Sequence, residues 1–148
     1  MQDEYFMRAA LEEAKKAFAE DEVPIGAVAV LDGSIIAAEH NRKEQWKDPL
    51  AHAEMLVLSQ TAERLERWRL TGVTLYVTIE PCLMCMGAAI HSRIDKIVFG
   101  ARDPKFGGAR SLYQLGEDPR MNHRLEIVEG IMAEEAAALM KEFFANKR

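Results

Sequence analysis

Apolar residues first recur at helical spacing. Met7, Ala10, Leu11, Ala14 and Phe18 share one stripe, which predicts a helix from about Asp3 to Glu20. Pro24 ends that pattern. Ile25 to Leu31 is then an unbroken apolar run of strand length, as in a strand covered on both faces. Asp32-Gly33 is a two-residue hairpin signal leading into a strand from Ser34 to about Glu39. A polar loop is expected over Asn41 to Leu50. The next helix begins near Ala51 and turns Met55, Leu58, Ala62 and Leu65 inward. Val73 to Ile79, rich in β-formers, reads as a strand. Pro81 then opens a short helix, where its missing N–H costs nothing. Lys96 to Gly100 reads as a fourth strand. Ala101 to Asn122 is irregular apart from one helical turn near Ser111 to Leu115, and Leu125 to Glu129 reads as a fifth strand. Ala136, Leu139, Met140 and Phe143 mark a closing helix.

The order is α-β-β-α-β-α-β-β-α. Helices alternating with buried strands predict a central sheet covered on both faces. The hairpin forces one antiparallel pair, and the strand–helix–strand units from Val73 onward predict parallel neighbours.

Composition narrows the class. The chain has 148 residues, 49% apolar and 29% charged, which fits one domain able to bury a core without staples. No repeat or linker interrupts it, so a single domain over residues 1–148 is expected. No apolar run approaches the ~18 residues of a membrane helix. Met1-Gln2-Asp3-Glu4 is acidic at once and lacks a secretory h-region. A cytoplasmic protein without a membrane partner is expected. The two cysteines sit three positions apart, which excludes a disulfide framework and a four-cysteine metal site. A net charge of −5 argues against non-specific nucleic-acid binding but leaves room for a local basic patch.

Chemistry concentrates in two short segments, His52-Ala53-Glu54 and Pro81-Cys82-Leu83-Met84-Cys85. Each starts a helix after a loop or strand, where sites form in open α/β sheets. Cys82 and Cys85 lie three apart, so both sulfurs point to one side, and a helix N-terminus favours the thiolate. One imidazole and two thiolates make a three-ligand zinc site with an open fourth position, a catalytic arrangement. Glu54 is then a non-ligand carboxylate able to take a proton from water and return it to a ring nitrogen and a leaving amine. Either segment alone is weak, since C-x-x-C also marks redox pairs. Together, H-x-E and P-C-x-x-C form the signature of zinc deaminases that act on nucleobases.

Longer segments carry a resemblance. VPIGAV (Val23 to Val28), HNR (His40 to Arg42), DPLAHAEM (Asp48 to Met55) and TLYVTIEPCLMCMGAAIHSRI (Thr74 to Ile94) match the bacterial tRNA-specific adenosine deaminase family. So do FGARDPKFGG (Phe99 to Gly108), DPRMNHRLEI (Asp118 to Ile127) and the pair Phe143-Phe144. The chain resembles that family along nearly its whole length. It departs at Leu50, where the family often has Thr, and in Gly107 to Leu112, which lacks an extra Gly.

The resemblance implies a three-layer α/β/α cytidine-deaminase-like fold with a central mixed five-stranded sheet. It also implies a homodimer with one zinc ion per subunit. The implied reaction is hydrolysis of the wobble adenosine of an arginine tRNA to inosine. Asn41 and the Ala53 backbone would hold the flipped base, Ile25 would wall the ring, and Asp103 and Lys105 would meet the sugar–phosphate chain. The implied partner is a tRNA anticodon loop, whose single-stranded bases are readily splayed out. Arg102, Lys105 and Arg110, with Lys147-Arg148, form the expected basic patch. Arg64, Arg67 and Arg69 read instead as a solvated face, and His40, His91 and His123 as non-ligands. Two alternatives stay open on the residues alone: a deaminase of free cytosine, guanine or a nucleoside, and a non-enzymatic zinc or redox protein.

Overall fold

The computed structural model describes residues 2–147. The amphipathic opening segment forms α1 (Gln2–Ala19), burying Phe6, Met7, Ala10, Leu11, Ala14 and Ala17. The hairpin is β1 (Gly26–Leu31) and β2 (Ser34–His40). Asp32 and Gly33 between them both adopt positive φ, 51° and 78°, as a tight primed turn requires.

The expected loop after β2 contains a four-residue helix, α2 (Lys43–Trp46). Its first amides are capped by the Glu22 carboxylate, which accepts from Glu44 N at 3.1 Å and Gln45 N at 2.7 Å. A cap arriving from more than 20 residues away leaves no local pattern. Helix α3 (Ala53–Leu65) starts slightly later than predicted, with His52 at its N-cap. Its buried positions are Ala53, Glu54, Val57, Leu58 and Thr61, while Met55, Ala62 and Leu65 sit at the margin. The inward face is rotated because two polar residues lie on it. Thr61 is satisfied by donating to Val57 O at 2.7 Å.

Strand β3 (Thr74–Ile79) leads to α4 (Leu83–Ser92), which begins after Pro81, with Cys82 as its N-cap. Strand β4 (Lys96–Ala101) follows, then a 3-10 turn at Leu115–Glu117, later than the turn predicted near Ser111. Strand β5 (Glu126–Val128) and helix α5 (Ala133–Ala145) complete the chain. On α5, Ala136 and Phe143 are buried, and Leu139 and Met140 half-buried.

The five-stranded mixed sheet has the order β2-β1-β3-β4-β5. Strand β1 is antiparallel to both β2 and β3, while β3, β4 and β5 run parallel. The second antiparallel pair, β1 with β3, joins segments with β2, α2 and α3 between them, which the hairpin signal does not announce. Alternation divides the core. Val28, Val30, Tyr76 and Val98 pack with Phe6, Met7 and Ala10 of α1. Ala27, Ala29, Leu75, Val77, Ile97 and Phe99 pack with Val57, Leu58, Met86 and Ile90 of α3 and α4. Ala136 of α5 joins Leu11 and Ile79, which completes three α/β/α layers. Register fixes the functional edge. Gly26 pairs with His40 and Ile79 with Ala101, so the start of β1 and the ends of β2, β3 and β4 lie together. Among the described residues, no helix is long and apolar enough to cross a membrane.

Candidate active site

Two helix N-termini deliver the donors. His52 caps α3, Cys82 caps α4, and Cys85 lies in the first turn of α4. His52 Nδ1 is 3.7 Å from Cys82 Sγ and 3.5 Å from Cys85 Sγ. The three donor atoms lie within 4.8 Å of one another, a group able to hold a metal ion. Their proton affinities are already uneven. The neighbouring Cys85 thiol and His52 pull Cys82 down to about 4 against the opposing effect of burial. Cys85, donating to Cys82 and more deeply buried, is pushed up. The contact with Cys82 raises His52.

Glu54 follows one turn-start later, buried at 3% exposure. Burial pushes its carboxyl up to about 7. Its Oε1 is the one buried side-chain N or O among the described residues that lacks a hydrogen-bond partner. An unsatisfied buried polar atom is costly and marks a place where something else belongs.

Three of the residues expected to hold a base are joined by hydrogen bonds. Asn41 N–H donates to Ile25 O at 3.1 Å, and Asn41 Oδ1 accepts from Ala53 N–H at 2.8 Å. That second bond fixes the amide orientation, because the atom facing an N–H must be the oxygen. Asn41 therefore caps α3 across the site and keeps its Nδ2 donors for a ligand. The Ala53 N–H is occupied by Asn41, so Ala53 offers a wall there and not a donor.

The profile of the MafB19-like deaminase family matches residues 1–148. The tRNA-specific adenosine deaminase of Bacillus subtilis (strain 168) is 50% identical over 147 residues, covering 99% of this chain and 91% of that protein. A solved structure from a study of A-to-I editing by tRNA:A34 deaminases aligns with a TM-score of 0.88 and 43% identity, covering 91% of this chain and 98% of that one. A guanine deaminase from Nitrosomonas europaea aligns with a TM-score of 0.83 and 27% identity, covering 96% of this chain and 84% of that one. The chain belongs to the tRNA-specific adenosine deaminase family. It is a deaminase, a hydrolase acting on C–N bonds.

In this deaminase the loop after β4 departs from the expected basic patch. Arg102 pairs with Glu129, Nε to Oε1 at 2.7 Å, and Arg110 Nε reaches Glu129 Oε2 at 3.1 Å. Arg110 also contacts Glu117. Glu129 lies 27 and 19 residues from its two partners, so sequence proximity of the arginines misstates their free charge. Lys105 is exposed and has no ion-pair partner among the described residues. Asp103 Oδ1 accepts from Lys105 N at 3.1 Å and Phe106 N at 3.2 Å, so this carboxylate shapes the loop. Lys147 contacts Asp21, and Arg148 lies outside the described residues.

The other histidines are occupied or exposed. His123 Nε2 meets Ile94 O at 2.7 Å, and His91 is exposed. His40 is buried, with Nδ1 2.8 Å from Glu13 and Nε2 2.9 Å from Glu20. Donor atoms of Glu13, Glu39 and His40 also lie within 4.8 Å of one another. Both imidazole nitrogens are already engaged there, and Lys16 and Arg42 compensate the carboxylates, so the cluster is closed. Arg64 and Arg67 direct guanidinium groups to the backbone carbonyls of Ile36, Arg69 and Thr71, consistent with a solvated face. Sequence reasoning passed over Glu80, a buried carboxylate between β3 and Pro81. The available signal was an acid directly before P-C-x-x-C on a strand otherwise apolar at its end.

Proposed function

We propose that this chain is a zinc enzyme that hydrolyses the wobble adenosine of an arginine tRNA to inosine. The observation that carries the reading is Glu54. Its buried carboxyl, with Oε1 unpartnered, stands beside an open group of one imidazole and two thiols. The donor set fits zinc. Bond lengths of tetrahedral zinc place imidazole nitrogen and thiolate sulfur about 3.6 Å apart, close to the separations here. His52, Cys82 and Cys85 would hold one ion per subunit, and when bound it supplies Lewis-acid activation of a water molecule.

The chain's own residues move the protons. Glu54 takes one from water as its oxygen attacks C6 of the purine and passes it to N1. A second proton goes by the same carboxyl to the amine, so ammonia leaves and C6 retains oxygen as the inosine carbonyl. Asn41 Nδ2 donates to an acceptor on the purine edge, Ile25 and Ala53 wall the ring, and Lys105 meets phosphate beside the flipped nucleotide. Asp103 acts mainly by holding the Lys105 backbone. The fold works as one domain over residues 1–148, as a homodimer, in the cytoplasm where tRNA is found.

The names of the relatives support tRNA over a free base. The guanine deaminase neighbour supplies the rival substrate class. The test offers zinc-quantified protein an adenosine-bearing anticodon stem-loop, free adenosine, cytosine and guanine side by side. Inosine in the RNA alone is expected. Turnover of a free base instead would overturn the substrate assignment.

A further inference from the structure

Glu80 lies between β3 and the Cys82 segment, 3% exposed, and no Lys or Arg pairs with it among the described residues. A buried carboxylate without a cation normally carries a large desolvation cost. Here five donors from one loop replace the lost water. Oε1 accepts from Asp103 N at 3.0 Å and Ser111 Oγ at 2.5 Å. Oε2 accepts from Ala109 N at 3.1 Å, Arg110 N at 2.6 Å and Ser111 N at 2.9 Å. Burial acts to raise this carboxyl, but the Ser111 hydroxyl and the backbone N–H groups outweigh it and hold it below its ordinary range. The loop has been shaped around it. A Cβ on Gly107 would stand 2.3 Å from Glu80 Cδ, so only glycine admits the carboxylate. Gly108 N donates to Pro81 O at 2.8 Å, and Cys82 bridges Gly107.

These bonds join two parts of the site that chemistry keeps separate. Pro81-Cys82 belongs to the metal-binding helix, whereas Asp103 and Lys105 face the remainder of a nucleotide chain in the proposed function. We propose that Glu80 is a positioning residue that fixes the loop from Asp103 to Ser111 in its RNA-receiving form, and thereby sets affinity for the polynucleotide without taking part in proton transfer. This inference rests on the RNA-deaminating reading given above.

Glu80→Gln separates the roles. Glutamine keeps one acceptor. With its oxygen facing the three amides of Ala109, Arg110 and Ser111, its NH2 meets Asp103 N–H. The Ser111 hydroxyl can rotate to accept, but the Asp103 amide cannot. The substitution therefore loosens the segment carrying Asp103 and Lys105 first. Expected for the zinc-loaded variant is a KM for the anticodon stem-loop raised about tenfold or more, with kcat within about threefold and zinc content unchanged. Lys105→Ala should add little to KM on top of Glu80→Gln, because both act through one loop. An unchanged KM, or a loss confined to zinc content and kcat, would overturn the proposal. So would fully additive effects with Lys105→Ala. If Glu80→Gln does not fold, Gly107→Ala carries the test by pushing the loop off the same carboxylate, and a wild-type KM there would overturn it. Wild-type protein inactive on the stem-loop defeats the substrate reading and this inference together. Active wild-type protein with an indifferent variant defeats the inference alone.

Discussion

At Glu54, burial without a partner for Oε1 makes the ionised carboxylate costly in the metal-free chain. Its folded-state value of about 7 lies above the ordinary 4.5, so the folded chain holds this proton more tightly than the unfolded one. Stability from this group is therefore full below about 4.5 and falls as pH rises towards 7. Glu54→Gln removes the charge and keeps the shape. The metal-free variant should exceed metal-free wild type in stability at pH 8 by about 2–3 kcal/mol, with the gap closing near pH 5. Thermal melts at both pH values check this, and equal melting at pH 8 would contradict it. The loaded variant should keep its metal and lose turnover by about 10²–10⁴-fold or more. Retained activity would remove Glu54 from the proton path. Both outcomes together would make Glu54 a residue at which stability and function part company.

Between elements, the counterpart of the catalytic edge is the clamp of α1 on the end of β2. His40 sits between Glu13 of α1 and Glu20 just past it, with Nδ1 2.8 Å from the first and Nε2 2.9 Å from the second. The neighbouring Asn41 is thus held from behind by α1 and from the front by Ala53. Burial raises Glu13, but Lys16 and His40 outweigh it and leave the carboxyl below its ordinary range. Its contribution is present above about 4.5 and is lost as pH falls through the lowered folded value. Glu13→Gln should cost about 1–3 kcal/mol at pH 7. That difference should shrink steadily below pH 4.5, as denaturant titrations at several pH values would show. A pH-independent difference would place the loss in packing.

Such elements also show which parts of the fold could be read from sequence. Strands β1 and β3 carry their own apolar runs, and Asp32-Gly33 its own turn chemistry, so local pattern suffices. That His52, Cys82 and Cys85 come together is legible because a shared ligand would constrain their spacing. Helix α2 was missed because Glu22 caps it from a distance. The face of α3 was rotated because Glu54 and Thr61 are buried for reasons other than apolarity. The role of Glu80 was invisible because its partners are backbone amides, which every residue possesses.

For the whole molecule, charge decides how an acidic protein meets RNA. The chain carries a net charge of −5, and Glu129 ties down two of the three cations between Arg102 and Ser111, namely Arg102 and Arg110. Between Arg102 and Ser111, Lys105 is the cation without an ion-pair partner among the described residues, so this segment neutralises few phosphates. In the proposed function, selectivity then comes from the pocket and from the low cost of splaying out an anticodon base. For single strands, log affinity falls with log salt at about 0.7 per phosphate contacted, so a slope near −1 to −2 is expected with the stem-loop. Glu129→Gln frees the Arg102 guanidinium, leaves Arg110 with Glu117 as its remaining partner, and keeps the pocket intact. It should steepen the slope by about one unit and tighten binding at low salt, as fluorescence anisotropy between about 50 and 200 mM salt would read. An unchanged slope would mean that Arg102 faces away from the RNA whether paired or free. The steepened slope would identify Glu129 as the group that keeps this surface selective by holding back cations that bind any phosphate chain.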